Sequence, residues 1–184
     1  MSATVPNRSD VQVRDATAAD VPAITAIYRP AVTDGTASFE LEPPDETEMR
    51  RRFEAVVGGG FPYLVAEIDG VVAGYAYVSQ YRARPAYRFS VENSIYVAPS
   101  AHRGGIGRVL LTALIARCTA QGFRQMIAVI GDGTQQTGSV ALHSALGFRL
   151  IGTIKSVGYK HGRWLDSVSM QLPLGPGDTS APDR

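Results

Sequence analysis

The stretch from His102 to Gly107, HRGGIG, has a composition suited to binding an anion. It combines three glycines with two basic residues and precedes a strongly apolar run. Glycine lets a ligand come close to the backbone, and the free N–H groups at the start of a helix attract a negative group. Arg103 and Arg108 add positive charge. Because glycine patterns are weak motifs in isolation, the stretch alone fits an ordinary turn before a helix equally well.

A carboxylate in the preceding segment is suited to proton transfer. The run SVENSIYV alternates like a strand, with one apolar face and a second face that carries Ser90, Glu92, Ser94 and Tyr96. A carboxylate at such a position is either solvated, as on an ordinary exposed strand, or set in a cleft, where it can accept a proton from an amine. Glu92 is therefore the best candidate for a general base.

Two further motifs can be interpreted either as ordinary structural features or as functional groups. His143, in ALHSALGF, can act as an acid or a base because imidazole titrates near neutral pH, although a lone helical histidine is more often a packing or surface residue. Arg82, Arg84 and Tyr87 lie in RARPAY, which is either a solvated loop or a carboxylate-binding group, since guanidinium can bind a carboxylate through two hydrogen bonds.

The hydrophobic periodicity predicts the elements that must position these side chains. In chain order we expect a strand at 11–14, a helix from Thr17 to Pro30, a helix from Asp45, a hairpin around Asp69-Gly70, a strand at 87–97, a helix after the glycine loop, a strand in MIAVIG, a helix at about 136–146, and strands near 148–156 and 164–172. The order β-α-α-β-β-β-α-β-α-β-β predicts an α/β protein with a twisted mixed sheet and helices on both faces. A TIM barrel or a doubly wound fold would need continuous βα alternation.

Length and composition limit the class of protein. The 184 residues suit one domain, expected at 11–174, with flexible tails at 1–10 and 175–184. The net charge of +1 argues against nucleic-acid binding through a large basic surface, and no apolar stretch is long enough to span a membrane. The single cysteine, Cys118, is expected in the core, and with no signal peptide it indicates a cytoplasmic protein. Three isolated histidines predict no metal site.

The motifs together resemble a known superfamily. The glycine loop, its preceding strand and ALHSALGF resemble the GCN5-related N-acetyltransferases (GNAT), whose Q/R-x-x-G-x-G/A loop holds the pyrophosphate of acetyl-CoA on backbone amides. The stretches YRARPAYRFSVENSIYV, AVIG, ALHSALGF and GYKHGRW narrow the resemblance to the branch that acetylates phosphinothricin and methionine sulfoximine, and TASFELEPP fits more weakly. These blocks occur in the right order over residues 75–172, nearly the whole expected domain.

The resemblance implies a set of site residues. Glu92 and His143 match catalytic positions. The expected acetyl-CoA contacts are Ile95, Tyr96, Val97, His102, Arg103, Gly104, Gly105, Ile106, Gly107, Arg108 and Gln136. The expected substrate contacts are Phe39, Arg82, Arg84, Tyr87 and Glu92. Two positions depart from the superfamily pattern, because His102 stands where Gln or Arg is usual and Gln136 stands where many members have Asn.

The implied activity is acetyl-CoA-dependent N-acetylation of a small amino acid or a toxic analogue. With no plausible nucleophile, direct attack in a ternary complex is expected rather than an acyl-enzyme. The alternatives are the same chemistry on a polyamine or a protein N-terminus, and a non-catalytic regulatory domain that binds acyl-CoA. Family analogy suggests a homodimer, to which the C-terminal strands and Trp164 could contribute.

Overall fold

Seven strands form one mixed sheet in the computed structural model, which describes residues 11–182. They are β1 (Val11–Asp15), β2 (Tyr63–Ile68), β3 (Val71–Gln80), β4 (Ser90–Val97), β5 (Gln125–Gly131), β6 (Arg149–Lys160) and β7 (Arg163–Pro173). Their order across the sheet is β1-β2-β3-β4-β5-β7-β6. Only the central β4–β5 pair is parallel. The expected tail at 1–10 lies outside the described residues.

Four α-helices cover the sheet within this part of the chain. They are α1 (Val21–Thr33), α2 (Glu46–Gly58), α3 (Ile106–Ala120) and α4 (Thr137–Ala145). The order of strands and helices confirms the fold predicted from the periodicity. Among residues 11–182, no helix has both the length and the apolar character needed to cross a bilayer.

Local signals explain where the first helices begin. Thr17 and Asp20 form a capping box, in which the Thr17 backbone N–H donates to Asp20 Oδ2 at 2.7 Å. At α2 the cap has the opposite direction, because the side chain of the N-cap residue Asp45 accepts from the Glu48 N–H at 2.8 Å. The prediction that α1 ends at Pro30 is wrong: the helix continues to Thr33, because Val32 in that last turn is fully buried in the core.

The sheet separates two cores. Helix α3 packs its apolar face, with Leu110, Leu111 and Leu114, against one side, and α4 adds partly buried side chains there. Helices α1 and α2 cover the other side, where Phe53 meets the tyrosines of β2 and β3. Consecutive residues of β4 therefore point into different cores, and this alternation gives the site two sides.

The third predicted strand begins later than the pattern indicates. It was expected from 87, but β4 starts at Ser90, and Pro85–Tyr87 form a short 3₁₀ turn. The proline at 85 favours such a turn because its φ angle is already fixed. At the other terminus, Arg124 holds the residues that follow β7 through hydrogen bonds to the carbonyls of Gly177 and Ala181 at 3.2 and 2.8 Å.

Candidate active site

The parallel strands β4 and β5 are paired over only part of their length. The pairing runs from Ser90 with Gln125 to Asn93 with Ala128, and beyond this point the strands separate. The gap holds a cavity of about 70 Å³. Its wall includes Ser94 and Tyr96 of β4, Gly131 of β5, and Gln136 and His143 of the α4 region. A break in the middle of a sheet leaves backbone groups without a strand partner, so the gap is suited to binding an extended ligand.

The hydrogen-bond alternation shows which groups face the gap. Ala98 donates its N–H to Ala73 O and Tyr81 donates to Ser90 O, so the even-numbered residues of β4 bond to β3. The odd-numbered residues must then direct their N–H and C=O groups toward β5. Ile95 and Val97 lie beyond the paired segment, so their backbone groups line the gap. Tyr96 instead directs its backbone toward β3 and packs its ring on Tyr28.

His102 has a clear contact within the protein. Its Nε2 lies 3.0 Å from the Val97 carbonyl oxygen. A carbonyl only accepts, so Nε2 is protonated and donates. The residue that departs from the superfamily pattern therefore satisfies one of the backbone groups that the strand separation leaves free.

The glycine loop forms the start of α3. Gly105 is the N-cap residue and has φ +83°, a conformation that strongly favours glycine. The Ile106 side chain is buried in the core, which leaves only its backbone N–H for a ligand. Gly107 has a second role, because a Cβ there would lie 3.1 Å from Leu142 Cδ2, so glycine also lets α3 approach α4.

The charge at this helix start is positive. Arg103 and Arg108 are exposed, and neither makes an ion pair within residues 11–182. Together with the free N–H groups of a 15-residue helix, they make this helix start suited to binding an anion.

Glu92 lies on the other side of β4. It is half-buried, it sits opposite Ser79 in β3, and its carboxylate makes no hydrogen bond to any described residue. Burial raises the pKa of Glu92 above its ordinary value, and the nearby positive charge of Arg82 opposes the rise. An unpaired carboxylate with a raised pKa is suited to accept a proton.

His143 is buried beneath the gap. Its Nδ1 lies 2.8 Å from Ser139 O, and its Nε2 lies 3.0 Å from Asn93 Nδ2. Burial lowers the pKa of His143, so the neutral imidazole is favoured.

A family model described as an acetyltransferase (GNAT) domain matches residues 13–169. The chain belongs to the GNAT acetyltransferase family.

Its relatives come from the branch indicated by the motifs. A phosphinothricin N-acetyltransferase of Alcaligenes faecalis is 56% identical over 164 residues, which are 89% of this chain and 83% of the relative. An L-methionine sulfoximine/L-methionine sulfone acetyltransferase of Pseudomonas aeruginosa is 42% identical, covering 89% of this chain and 95% of the relative. A crystal structure of a phosphinothricin acetyltransferase from Sinorhizobium meliloti in complex with AcCoA matches with a TM-score of 0.92 and 53% identity, covering 95% of this chain and 94% of that one.

The residues of this GNAT chain that were predicted to bind substrate lie at opposite ends of the β4–β5 pair. Arg82 stacks on Tyr81 in the exposed loop before β4, and Tyr87 meets the same ring edge-on, while Arg84 is exposed nearby. Phe39 instead packs at the far end of β5. A Cβ on Gly158 would lie 2.5 Å from the Phe39 ring, and one on Gly131 would lie 2.8 Å from it.

Gln136 is occupied by a contact within the protein. It precedes α4 and donates from Nε2 to Thr36 Oγ1 at 3.1 Å, and Thr36 in turn donates to the buried carboxylate of Asp132 at 2.9 Å. Arg163 pairs with the same carboxylate. The predicted cofactor residue thus links the loop that carries Phe39 to the wall of the gap.

Sequence reasoning missed Asn93, the buried partner of His143. It lies on the face that Val91 and Ile95 make apolar, so a polar residue there interrupts the pattern. That interruption is the signal that points to it, since a buried carboxamide requires polar partners.

Proposed function

We propose that this chain is an acetyl-CoA-dependent N-acetyltransferase. Its acceptor is the α-amine of a small amino acid or of a toxic analogue such as phosphinothricin or methionine sulfoximine. The proposal rests on the half-buried carboxylate of Glu92, which makes no hydrogen bond to any described residue and lies beside the gap between β4 and β5. On the other side of the sheet, the gap leads to the start of α3, which is suited to binding an anion. The names of the relatives support the same substrate class.

The residues of the gap fit acetyl-CoA. The pyrophosphate would lie on the amides from Gly105 to Arg108, with Arg103 adding charge, while the Gly104 N–H donates to the Ala101 carbonyl. The pantetheine arm would extend along β4, where the backbone groups of Ile95 and the N–H of Val97 are free to pair with its amides. Gln136 and Tyr96 line this path. His102 supports it by donating to the Val97 carbonyl, and Gln136 is held by the bond from its Nε2 to Thr36.

The reaction follows from this placement. Glu92 takes a proton from the ammonium group, directly or through water, and the amine lone pair attacks the thioester carbonyl carbon. The C–N bond forms and the C–S bond breaks. The nitrogen loses its second proton as it becomes an amide, the leaving thiolate takes up one proton to give CoA, and Glu92 returns its proton to solvent. The backbone N–H groups at the gap would stabilise the negative charge that develops on the carbonyl oxygen.

Direct transfer is favoured over an acyl-enzyme. Cys118 has no exposed surface in the α3 core, and burial raises the pKa of its thiol to about 12. A thiol in that state is a poor nucleophile at neutral pH. The expected product of mixing protein with acetyl-CoA alone is therefore unmodified protein, as measured by intact mass.

The acceptor would be held by residues around Glu92. Arg82 and Arg84 provide guanidinium groups for its carboxylate, and Tyr87 lies in the same loop. Phe39 would contact its side chain from the far end of β5. The basic character of this loop favours an acceptor with a carboxylate over a cationic polyamine.

We further propose a homodimer in the cytoplasm. We define the β6 edge surface as the exposed apolar side chains of β6 and the neighbouring end of β7: Leu150, Ile151, Ile154, Val157, Tyr159 and Trp164. An apolar edge strand of this length is a hazard unless something covers it, and a second copy would do so. The free, buried Cys118 suits a reducing compartment.

The test is release of CoA with a panel of acceptors. Phosphinothricin, methionine sulfoximine and small amino acids are expected to be acetylated, and spermidine and peptide N-termini to be poor acceptors. Arg84→Ala is expected to raise KM for the amino acid and leave KM for acetyl-CoA unchanged. Turnover confined to spermidine or peptides would show that the acceptor is another kind of amine. Binding of acetyl-CoA without turnover of any acceptor would favour a regulatory domain.

A further inference from the structure

Asn93 and His143 form a buried pair where β4 and β5 separate. Asn93 is the last residue of β4 that pairs with β5, and it is 6% exposed. His143 reaches it from α4 and is 2% exposed. Both residues line the gap.

The partners of the imidazole determine where its protons are. Ser139 O can only accept, so Nδ1 carries hydrogen and donates to it at 2.8 Å. Asn93 Nδ2 can only donate, so Nε2 is the acceptor at 3.0 Å. The reverse orientation of the carboxamide would require both ring nitrogens to donate, which a buried neutral ring cannot do. Neither nitrogen of His143 is therefore free to exchange a proton with a reacting atom.

The same geometry leaves one atom without a partner. Because His143 holds the carboxamide through Nδ2, Asn93 Oδ1 is turned away from the ring, and it is buried without a hydrogen bond to any residue within 11–182. Buried carboxamide oxygens in native proteins nearly always accept a hydrogen bond. The atom lies in the wall of a ligand gap, so a ligand can supply the missing donor.

The side of the sheet indicates which ligand this is. Asn93 points to the face covered by α3 and α4, opposite Glu92, and the glycine loop begins α3 on that same face. A donor that reaches Oδ1 thus comes from the acetyl-CoA side and not from the amino acid. The pantetheine arm carries two amide N–H groups and enters the gap along β4.

We infer that Asn93 binds the donor substrate, its Oδ1 accepting a hydrogen bond from an amide N–H of the pantetheine arm, and that His143 is a positioning residue that fixes the carboxamide. This inference rests on the proposed use of acetyl-CoA. His143 acts through Asn93 and takes no part in proton transfer.

Calorimetric titration of the full chain with three ligands tests the contact. Asn93→Ala is expected to raise Kd for acetyl-CoA and for S-acetylpantetheine by the same factor, on the order of 10-fold, because both ligands carry the pantetheine arm. Binding of 3′,5′-ADP, which lacks the arm, stays within about two-fold and shows that the variant is folded. Thr25→Val removes another buried hydrogen-bonded side chain, in α1, and is expected to change none of the three affinities.

If Asn93→Ala raises Kd for 3′,5′-ADP and for acetyl-CoA equally, or raises neither, the proposed contact between Asn93 and the pantetheine arm is wrong. If Asn93→Ala does not fold, Asn93→Ser is used instead, because it removes the same carboxamide oxygen. Its change in Kd for acetyl-CoA is again compared with its change in Kd for 3′,5′-ADP. Wild-type protein that binds 3′,5′-ADP but no acetyl-CoA would instead overturn the proposed function.

Kinetics test the role of His143. Gln can accept from Asn93 but cannot titrate, so His143→Gln is expected to keep the wild-type pH dependence of kcat/KM. His143→Ala is expected to raise KM for acetyl-CoA more than it lowers kcat. The double variant His143→Ala/Asn93→Ala is expected to have the same KM for acetyl-CoA as Asn93→Ala alone. Loss of an ionisation in His143→Gln, or full additivity in the double variant, would make His143 a catalytic residue and defeat the inference.

Discussion

Glu92 and Asn93 are adjacent in β4, and their side chains lie on opposite faces of the sheet. Glu92 faces the side covered by α1 and α2 and has Ser79 across from it, whereas Asn93 faces α4 and contacts His143. Under the proposed function, the acceptor would approach the face that carries Glu92, and acetyl-CoA would lie on the face that carries Asn93. Each side can be perturbed without direct contact with the other, which allows binding and chemistry to be separated by mutation.

Replacing the carboxylate on the acceptor side should affect chemistry alone. Glu92→Gln is expected to lower kcat by roughly 10²–10⁴-fold, the usual contribution of a general base, while Kd for acetyl-CoA stays unchanged. Steady-state kinetics and calorimetric titration measure the two quantities. Glu54→Gln, on the exposed face of α2, is the control and is expected to behave as wild type. Near-normal turnover in Glu92→Gln would remove Glu92 from the mechanism.

The pH dependence follows from the direction of the Glu92 shift. A base works only when ionised, and burial raises the pKa of Glu92, so kcat/KM should increase as pH rises through that raised pKa. Arg82→Ala removes the cation that opposes the rise and should move the acidic limb to higher pH. Arg84→Ala, a neighbouring arginine, is expected to leave the limb in place. A shift toward lower pH in Arg82→Ala would contradict the assignment of the limb to Glu92.

A second carboxylate should govern stability in acid. Arg14 pairs with Asp20 and lowers the pKa of Asp20 to about 2, below its value in the unfolded chain. A depressed pKa stabilises the fold above the unfolded pKa of about 4, and the contribution is lost as pH falls through about 2. Because Arg14 is 39% exposed, we expect about 1–2 kcal/mol for the pair.

Urea unfolding of Asp20→Asn measures this contribution. The variant should be less stable than wild type at pH 7, and the difference should shrink at pH 2.5. Asp15→Asn, which removes the more exposed pair with Arg117, should cost less than about 0.5 kcal/mol at pH 7. A difference that is the same at both pH values would show that Asp20 acts through packing and not through its charge.

Local signals in the sequence predicted where several candidate residues lie in the fold. The alternation around Glu92 placed it on the correct strand and face, and the glycines before an apolar run predicted a helix, which begins at Ile106. These predictions depend on neighbours within a few residues, where strand and helix periods are visible.

Contacts between distant segments could not be predicted in this way. Asn93 sits at an apolar position of β4, and only the placement of His143, 50 residues later, explains its polarity. The separation of β4 from β5 depends on a register between segments about 35 residues apart. Phe39, in a loop, packs against Gly158 in the edge strand β6, and the periodicity of the sequence gives no indication that these two segments meet.

The proposed dimer predicts a change of mass on mutation of the β6 edge surface. Ile154 is 58% exposed there, and Ile154→Glu would place a charge in an interface that excludes water. We expect a dimer for wild type and a monomer for the variant, as measured by light scattering after size exclusion. Val71→Glu is the control, because Val71 is 68% exposed at the β2–β3 turn. A wild-type monomer, or dissociation by both variants, would contradict the proposed interface.

Gly158 should control the position of Phe39 and so the binding of the acceptor. A methyl group at Gly158 would lie 2.5 Å from the Phe39 ring, so Gly158→Ala must displace the ring from its slot. We expect KM for the amino acid to rise by roughly 10-fold, within the cost of overpacking, with Kd for acetyl-CoA unchanged. Gly152→Ala, also in β6, has no atom within 4 Å of the added carbon and should behave as wild type. Adding Phe39→Leu to Gly158→Ala shortens the clashing side chain and should recover stability to heat but not acceptor affinity. Equal kinetics for Gly158→Ala and Gly152→Ala would show that Phe39 does not contact the acceptor.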